Sequence, residues 1–486
     1  MTAPDVYHQD AFFIDGVWSR PLSGESAEVI SPATELSIGS YPVATTGDID
    51  AAVAAARRSF DEGPWPGTPL AERCAVLERA ADTLDRYARE IGELITHEMG
   101  APLSLSGVLV PQGISIMREA CQLARELKFE EVRDTPRGRS VIRRQPVGVV
   151  AAIAPWNAPF VTAVAKVVPA LLTGCTVVYK PAPETPLDLL FMAEALREAG
   201  LPAGAFNVVP ADREVSEHLV AHPGVDMISF TGSTAAGRRI GMVCGDLVRH
   251  CHLELGGKSA AIVCEDADLD ETVPALSSVF RNSGQICASL SRVLAPASLY
   301  DEVVSRLCDV AGKLVVGDPL AEATEMGPLV AERQRTRVEG YLDIARDEGV
   351  EVMAGGGRPA GLDRGWFIEP TVLAGVHNSM RIAREEIFGP VVSVIRYGPD
   401  DDPAAIANDS EYGLHGAVFS TDHEQAYRIA SRVRSGSFTI NNNRINVSAP
   451  FGGMKRSGTA GREFGPEGFA DFLDVRTINV PADFRP

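Results

Sequence analysis

The chain is 486 residues long, 45% hydrophobic and 23% charged. That length holds two or three domains with sizeable cores, and the composition excludes disorder over most of it. Its 45 Lys and Arg stand against 65 Asp and Glu, a formal net charge of −20. Such a surface repels nucleic-acid phosphates and anionic membranes, so neither is an expected partner.

Residues 1–18 show no basic start followed by an apolar run, and no export signal is expected. A first helical pattern covers 48–60, with Ile49, Ala52, Val53, Ala56 and Phe60 on one face. A second covers 69–99, where Leu70, Cys74, Leu77, Ala81, Leu84, Ala88, Ile91 and Ile95 recur at steps of three and four until Gly100. Both are read as packing helices. The longest uncharged stretch, 145–165, contains Pro146, Pro155, Trp156, Asn157 and Pro159. That composition suits a buried strand ending in a loop, not a bilayer span, and no membrane segment is expected.

From about 140 the pattern changes to short apolar runs at 147–154, 176–179, 206–209 and 225–230, with helix-like segments near 161–173, 187–200, 212–221 and 235–248 between and after them. Strand, helix, strand at this spacing predicts right-handed crossovers and a parallel, doubly wound α/β sheet. Ligands bind beyond the carboxyl ends of such strands. At those ends stand Pro155-Trp156-Asn157, Lys180-Pro181, Pro210-Ala211-Asp212 and Thr231-Gly232-Ser233-Thr234, which would share one rim. A second α/β region runs from 259–264 to about 450, and the tail at 475–480 reads as a strand able to pair with the basic extended piece at 137–149, within one subunit or between subunits. The eight cysteines, at 74, 121, 175, 244, 251, 264, 287 and 308, contain no C-x-x-C pair. Neither a disulfide framework nor a metal site is expected, and a reducing cytoplasm is the simpler setting.

Several pieces could carry chemistry. Gly-Ser-Thr-Ala-Ala-Gly at 232–237 comes directly after an apolar run and opens a helix. It is either a place where backbone N–H groups meet a phosphate or a tight turn capped by Ser233. Cys287 lies among small and polar residues, Asn282-Ser283-Gly284-Gln285-Ile286-Cys287-Ala288-Ser289, which permit access to a thiolate; a lone cytosolic Cys is otherwise inert. In Leu253-Glu254-Leu255-Gly256-Gly257-Lys258, an apolar pocket would raise Glu254 toward general-base work, and the alternative is an exposed Glu on a linking segment. Glu385-Glu386-Ile387-Phe388-Gly389-Pro390 and Pro450-Phe451-Gly452-Gly453-Met454-Lys455 read in isolation as surface acids and an anchored turn.

Together, and in this order and spacing, these pieces resemble the aldehyde dehydrogenase superfamily over essentially the whole chain. The resemblance implies a Rossmann-like parallel-sheet dinucleotide-binding domain (1–125 and 147–254), a second α/β catalytic domain (255–455) and a small β oligomerisation flap (126–146 and 470–486). It implies that Cys287 attacks an aldehyde, that Asn157 and the Cys287 N–H hold the oxyanion, and that Glu254 activates the water that hydrolyses the thioester to a carboxylic acid. It further implies NAD as cofactor, with NADP possible. Lys180 would stand at the adenosine ribose, Ser233 at the diphosphate, and Glu386 with Phe388 at the nicotinamide end, with Gly232, Trp156 and Gly256 also binding the cofactor. Trp156, Phe451 and Ala158 would wall the aldehyde tunnel, and the protein would be a homodimer or homotetramer.

The chain departs from the common pattern in places. Pro183 stands where many NAD-preferring members carry a Glu, with Glu184 next to it, and Pro210-Ala211-Asp212-Arg213-Glu214 replaces a Gly-rich turn. The run at 457–463 is one residue longer than usual, and Ala158 and Ala165 are small where bulk is common. There are three competing readings: a CoA-acylating member, which Glu254 opposes; a catalytically silent binding protein, which the intact Asn157, Glu254 and Cys287 oppose; and a semialdehyde or phosphorylated-aldehyde specialist, which requires cations at the tunnel mouth.

Overall fold

The structure, a computed structural model, describes residues 8–484; the outermost residues of the segments expected at 1–125 and 470–486 lie outside them. The apolar runs form a seven-stranded sheet in the order His250–Glu254, Met227–Thr231, Val149–Ile153, Thr176–Lys180, Phe206–Val208, Phe12–Ile14 and Val17–Ser19. The first five strands are parallel; the last two form an antiparallel hairpin on the edge. Along Val149–Ile153, Val150 and Ala152 face one apolar cluster while Val149, Ala151 and Ile153 face another. Both faces are covered, which is why these strands read as unbroken apolar runs rather than as alternation.

The chain builds outward from Val149–Ile153 through Thr176–Lys180 to Phe206–Val208, then returns to place Met227–Thr231 on the other side of the starting strand. The crevice between the carboxyl ends of Val149–Ile153 and Met227–Thr231 is therefore the topological switch point, where open α/β sheets bind ligands. The loops at 155–157 and 231–233 meet there.

A second seven-stranded sheet has the order Glu351–Ala354, Thr371–Val376, Val391–Tyr397, Arg292–Pro296, Ala260–Val263, Gly416–Phe419 and Thr439–Ile440, with only the first pair antiparallel. It too is sandwiched between two apolar clusters. The expected pairing of the tail occurs: Leu473–Val480 runs antiparallel to Gly138–Pro146 in unbroken register from Leu473↔Pro146 to Val480↔Arg139, and Glu130–Thr135 completes a three-stranded sheet.

The helical reading of 69–99 needs correction. Two helices, Leu70–Arg86 and Ala88–Met99, meet at Tyr87, whose φ of −109° and ψ of 9° break the turn. A break of one residue preserves steps of three and four, so periodicity alone does not reveal it. The stop at Gly100 is correct; its φ is +80°, and an added Cβ would press on Pro328 and Pro32. A further helix, Leu103–Ala124, starts after Pro102, where a missing N–H costs nothing, and carries Pro111 in its interior.

Candidate active site

Cys287 comes after a loop with three successive residues in the left-handed region: Asn282 (φ 51°), Ser283 (φ 54°) and Gly284 (φ 73°). Two of them are not glycine, a cost of about 1–3 kcal/mol each that the surroundings must offset. Ser283 Oγ donates to the Gly327 and Pro328 carbonyls (2.8 and 3.1 Å). Asn282 Nδ2 donates to the Asn157 carbonyl (3.0 Å), and Gln285 Oε1 accepts from Val330 N (3.0 Å). Gly284 is obligatory, since a Cβ there would lie 1.9 Å from the Gly389 carbonyl oxygen. The motif Gly284-Gln285-Ile286-Cys287 thus encodes a strained, tightly held presentation of one thiol.

Asn157 sits at the switch point, and its amide Nδ2 donates to the Gln285 carbonyl at 2.8 Å, which ties the end of the first sheet to the cysteine loop. Burial, then the carboxylates of Glu386, Glu254 and Glu463, push the Cys287 thiol up to about 12. The thiol is therefore protonated at rest and needs a base to become a nucleophile.

Glu254 is no exposed linker residue. It ends the parallel strand His250–Glu254 and is 3% exposed. Burial raises its carboxyl to about 7; His252 partly counters this, and Glu463 adds to it. Oε1 meets His252 Nε2 at 3.1 Å, whereas Oε2 is buried without a partner. A Cβ on Gly452 would stand 2.6 Å from Oε1, which explains the glycine after Phe451.

Two cavities converge on the thiol. One, of about 220 Å³, is lined by Trp156, Asn157, Gly232, Ser233, Gly256, Cys287, Glu386 and Phe388. The other, of about 580 Å³, is lined by Asn157, Ala158, Glu254, Cys287, Phe451 and Glu463 among others. Asn157 and Cys287 border both; Glu254 borders only the larger. Trp156, expected in the tunnel wall as well, lies on the smaller cavity and not among the residues lining the larger one. It packs edge-on against Phe388 at 5.5 Å between ring centroids, and Phe388 itself has φ 61°.

Glu386 Oε1 accepts from Gly257 N (2.9 Å), and a Cβ on Gly256 would fall 2.4 Å from its Oε2. Ser233 does cap the helix Thr234–Asp246, accepting from Ala236 N (3.3 Å), and it also lines the smaller cavity. Lys180 lies apart, on a third cavity of about 260 Å³ with Pro183, Arg213, Phe230 and Arg239. Burial lowers it to about 8, against the pull of Glu184 and Asp212.

Residues outside the motifs complete the site. Gln334 Nε2 donates to the Phe388 carbonyl (2.8 Å) and Arg337 Nη2 to the Glu386 carbonyl (2.6 Å), fixing the 386–388 loop. Both lie on the polar helix Glu332–Asp347, whose pattern resembles any solvated helix and gives no signal in sequence. Lys166, fully buried, holds Glu463 at 2.9 Å; only a Lys within an apolar helical run hinted at it.

A family model, the aldehyde dehydrogenase family, matches residues 18–478. The chain belongs to the aldehyde dehydrogenase family. Among its members, the geranial dehydrogenase of Castellaniella defragrans is 46% identical over 97% of this chain and 99% of its own. The 3-succinoylsemialdehyde-pyridine dehydrogenase of a Pseudomonas species is 41% identical over 96% of this chain and 98% of its own. A Mycobacterium tuberculosis aldehyde dehydrogenase solved with NAD+ superimposes with a TM-score of 0.95 at 44% identity, covering 99% of both chains. A Pseudomonas syringae family member, solved as a cysteine-to-alanine mutant with NAD+ and octanal, gives 0.95 at 40% identity, over 100% of this chain and 99% of its own.

Proposed function

We propose that this aldehyde dehydrogenase oxidises an aldehyde to a carboxylic acid with NAD+, through a thioester on Cys287 that a Glu254-activated water hydrolyses. The observation that carries the reading is the junction: the thiol borders two cavities, and the buried carboxylate borders only one of them. Cofactor and aldehyde thus reach the same sulfur from different cavities, with the water-activating group on the aldehyde's one. We assign 1–125 and 147–254 to the dinucleotide, 255–455 to catalysis, and 126–146 with 470–486 to oligomer formation.

The residues around the smaller cavity fit the dinucleotide. Gly232 N is taken by the Glu254 carbonyl (3.0 Å), and the turn after it opens the helix Thr234–Asp246, whose N-terminus favours an anion. Thr231 Oγ1 at that turn is buried without a partner, and Glu386 Oε2 packs on Gly256 with a Gly257 N–H fixing the other oxygen. NAD+, when bound, accepts the hydride that leaves the reacting carbon.

The remaining steps fall to this chain. The Cys287 sulfur attacks the carbonyl carbon once its proton has been lost, and Glu254, the carboxylate on that cavity that titrates near neutrality, serves the later hydrolysis. The Asn157 amide and the Cys287 N–H stabilise the oxyanion of the tetrahedral adduct. After oxidation to the thioester, Glu254 Oε2 takes a proton from water, the hydroxyl adds to the acyl carbon, and the sulfur leaves. A base already in place makes CoA unnecessary.

Two observations widen the panel to be tried. Arg213 and Arg239 share the third cavity with Lys180, while the Glu184 carboxylate is engaged by Arg333. Glu217, on the same cavity, pairs with both arginines, but the three cations outnumber it and suit a 2′-phosphate, so NADP+ is a second cofactor. Arg281 and Arg444 line the larger cavity, the cations that an aldehyde with an anionic far end requires. The exposed edge Glu130–Thr135 suits pairing with a second copy, as homodimer or homotetramer, to be read by light scattering. No helix among the described residues is long and apolar enough to cross a membrane; the free cysteines agree with a cytoplasmic setting.

The test is absorbance at 340 nm with neutral and carboxylated aldehydes, each with NAD+ and NADP+, without and with CoA. A signal without CoA that vanishes in Cys287→Ala supports the reading. A signal only with CoA overturns it in favour of the acylating alternative, and silence from folded protein on every pair would favour the binding-protein alternative.

A further inference from the structure

In the strand His250–Glu254, alternate residues face the same way, so His250, His252 and Glu254 stand in a row. Successive contacts join them. His252 Nε2 meets Glu254 Oε1 at 3.1 Å, and His252 Nδ1 meets Asp471 Oδ2 at 3.1 Å, an ion-pair contact rather than an aligned hydrogen bond. Asp471 Oδ1 meets His250 Nε2 at 3.3 Å. His252 is 1% exposed, the Asp471 side chain 15% and that of His250 48%, so the row leads from the buried base to the surface.

The surrounding backbone is built to receive this row. The 457–463 run packs beside it. Its Thr459 Oγ1 accepts from Leu253 N at 3.0 Å. Its Gly461 has no room for a side chain, since a Cβ would lie 1.9 Å from Asp471 Oδ2 and 3.0 Å from His252 Cγ. A buried imidazole with a carboxylate on each nitrogen is stable in its charged form when those contacts outweigh desolvation.

We propose that His252 is a positioning residue for thioester hydrolysis: held as imidazolium between Asp471 and Glu254, it fixes Oε1, leaves Oε2 to take the proton from water, and sets the pH at which Glu254 acts. This rests on Glu254 being the base. Burial alone would lower His252, but Asp471 and Glu254 outweigh it and raise the ring to about 9. It therefore stays cationic while Glu254 titrates near 7. Burial raises Asp471, yet the two imidazoles hold it well below the usual carboxylate range. The other groups around the row are the Lys166–Glu463 ion pair, which lies against Glu254, Arg462, whose Nη1 donates to the Gly461 carbonyl at 2.6 Å, Cys251 and the Cys287 thiol. None of them bonds to Oε2.

The experiment tracks decay of the Cys287 acyl-enzyme by quenched-flow mass spectrometry, from about pH 5.5 to 9.5, in wild type, His252→Gln, His252→Asn, Asp471→Asn and Glu254→Gln. An uncharged ring replacement takes away the cation that lowers Glu254. The acid limb of decay is then expected to move up by about 1–3 pH units in His252→Gln and His252→Asn, and by less in Asp471→Asn, with formation of the acyl-enzyme unchanged. A merely structural role would lower the rate at every pH and leave the limb in place; that result overturns the proposal while the base reading stands. Asp471→Asn, nearer the surface, decides the matter if the His252 variants do not fold. Undiminished decay in Glu254→Gln would instead overturn the base reading itself.

Discussion

The loop that carries Cys287 and the strand end that carries Glu254 place two reactive groups beside one cavity by different means. The first stores strain: Asn282, Ser283 and Gly284 all occupy the left-handed region, and hydrogen bonds to two segments, at Asn157 and at 327–330, hold the loop there. The second is unstrained parallel strand, and its side chain is tuned by charge, with His252 and Asp471 on one side and Lys166–Glu463 nearby. The nucleophile should thus be sensitive to backbone changes and the base to changes of charge.

The largest effect tests the reactive atom alone. Cys287→Ala should lower NADH formation by at least about 10⁴-fold, as loss of a nucleophile does elsewhere, with an unchanged melting profile. Breaking the loop comes next. Gly284→Ala meets both the positive φ and the Gly389 carbonyl, and should destabilise the protein by about 2–4 kcal/mol in denaturant titration as well as lowering kcat. Glu254→Gln reverses that pattern: steady-state turnover falls about 10²–10⁴-fold while a first-turnover burst of NADH persists and stability holds. A Gly284→Ala protein as stable as wild type, or a Glu254→Gln protein that unfolds, would erase the contrast.

The same contrast explains how much was legible in sequence. Cys287, Glu254 and Asn157 sit in short local motifs, and the parallel strands, apolar on both faces, declare themselves as runs. His252–Asp471 and Lys166–Glu463 join residues hundreds of positions apart, and a Lys or His in an apolar segment names no partner. The edge hairpin Phe12–Ile14 and Val17–Ser19 did carry a signal: Asp15-Gly16, both with positive φ, is a favoured two-residue turn between apolar residues. The break at Tyr87 carried none.

Smaller effects sharpen the electrostatic half. Arg239→Ala should lower the NADP+ to NAD+ ratio of kcat/KM by about tenfold, the weight of one charge-assisted contact, while NAD+ kinetics stay as they are. The smallest concerns stability and pH. The folded-state carboxyl of Glu254 is raised from 4.5 to about 7, so the native state binds the proton more tightly than the unfolded chain does. Its contribution is then lost as pH rises from about 4.5 through about 7. Glu254→Gln escapes that loss, and its melting temperature should gain on wild type between pH 5 and pH 8; an unchanging difference would mean the carboxyl is not raised.

The most direct test of the thioester route is to mix Glu254→Gln protein with NAD+ and a straight-chain aldehyde, quench, digest and weigh the peptide bearing Cys287. An acyl group on that cysteine, formed with about one NADH per active site and absent without NAD+, is the expected result. NADH formed with no acyl group on Cys287, or with the acyl group on another residue, would contradict it.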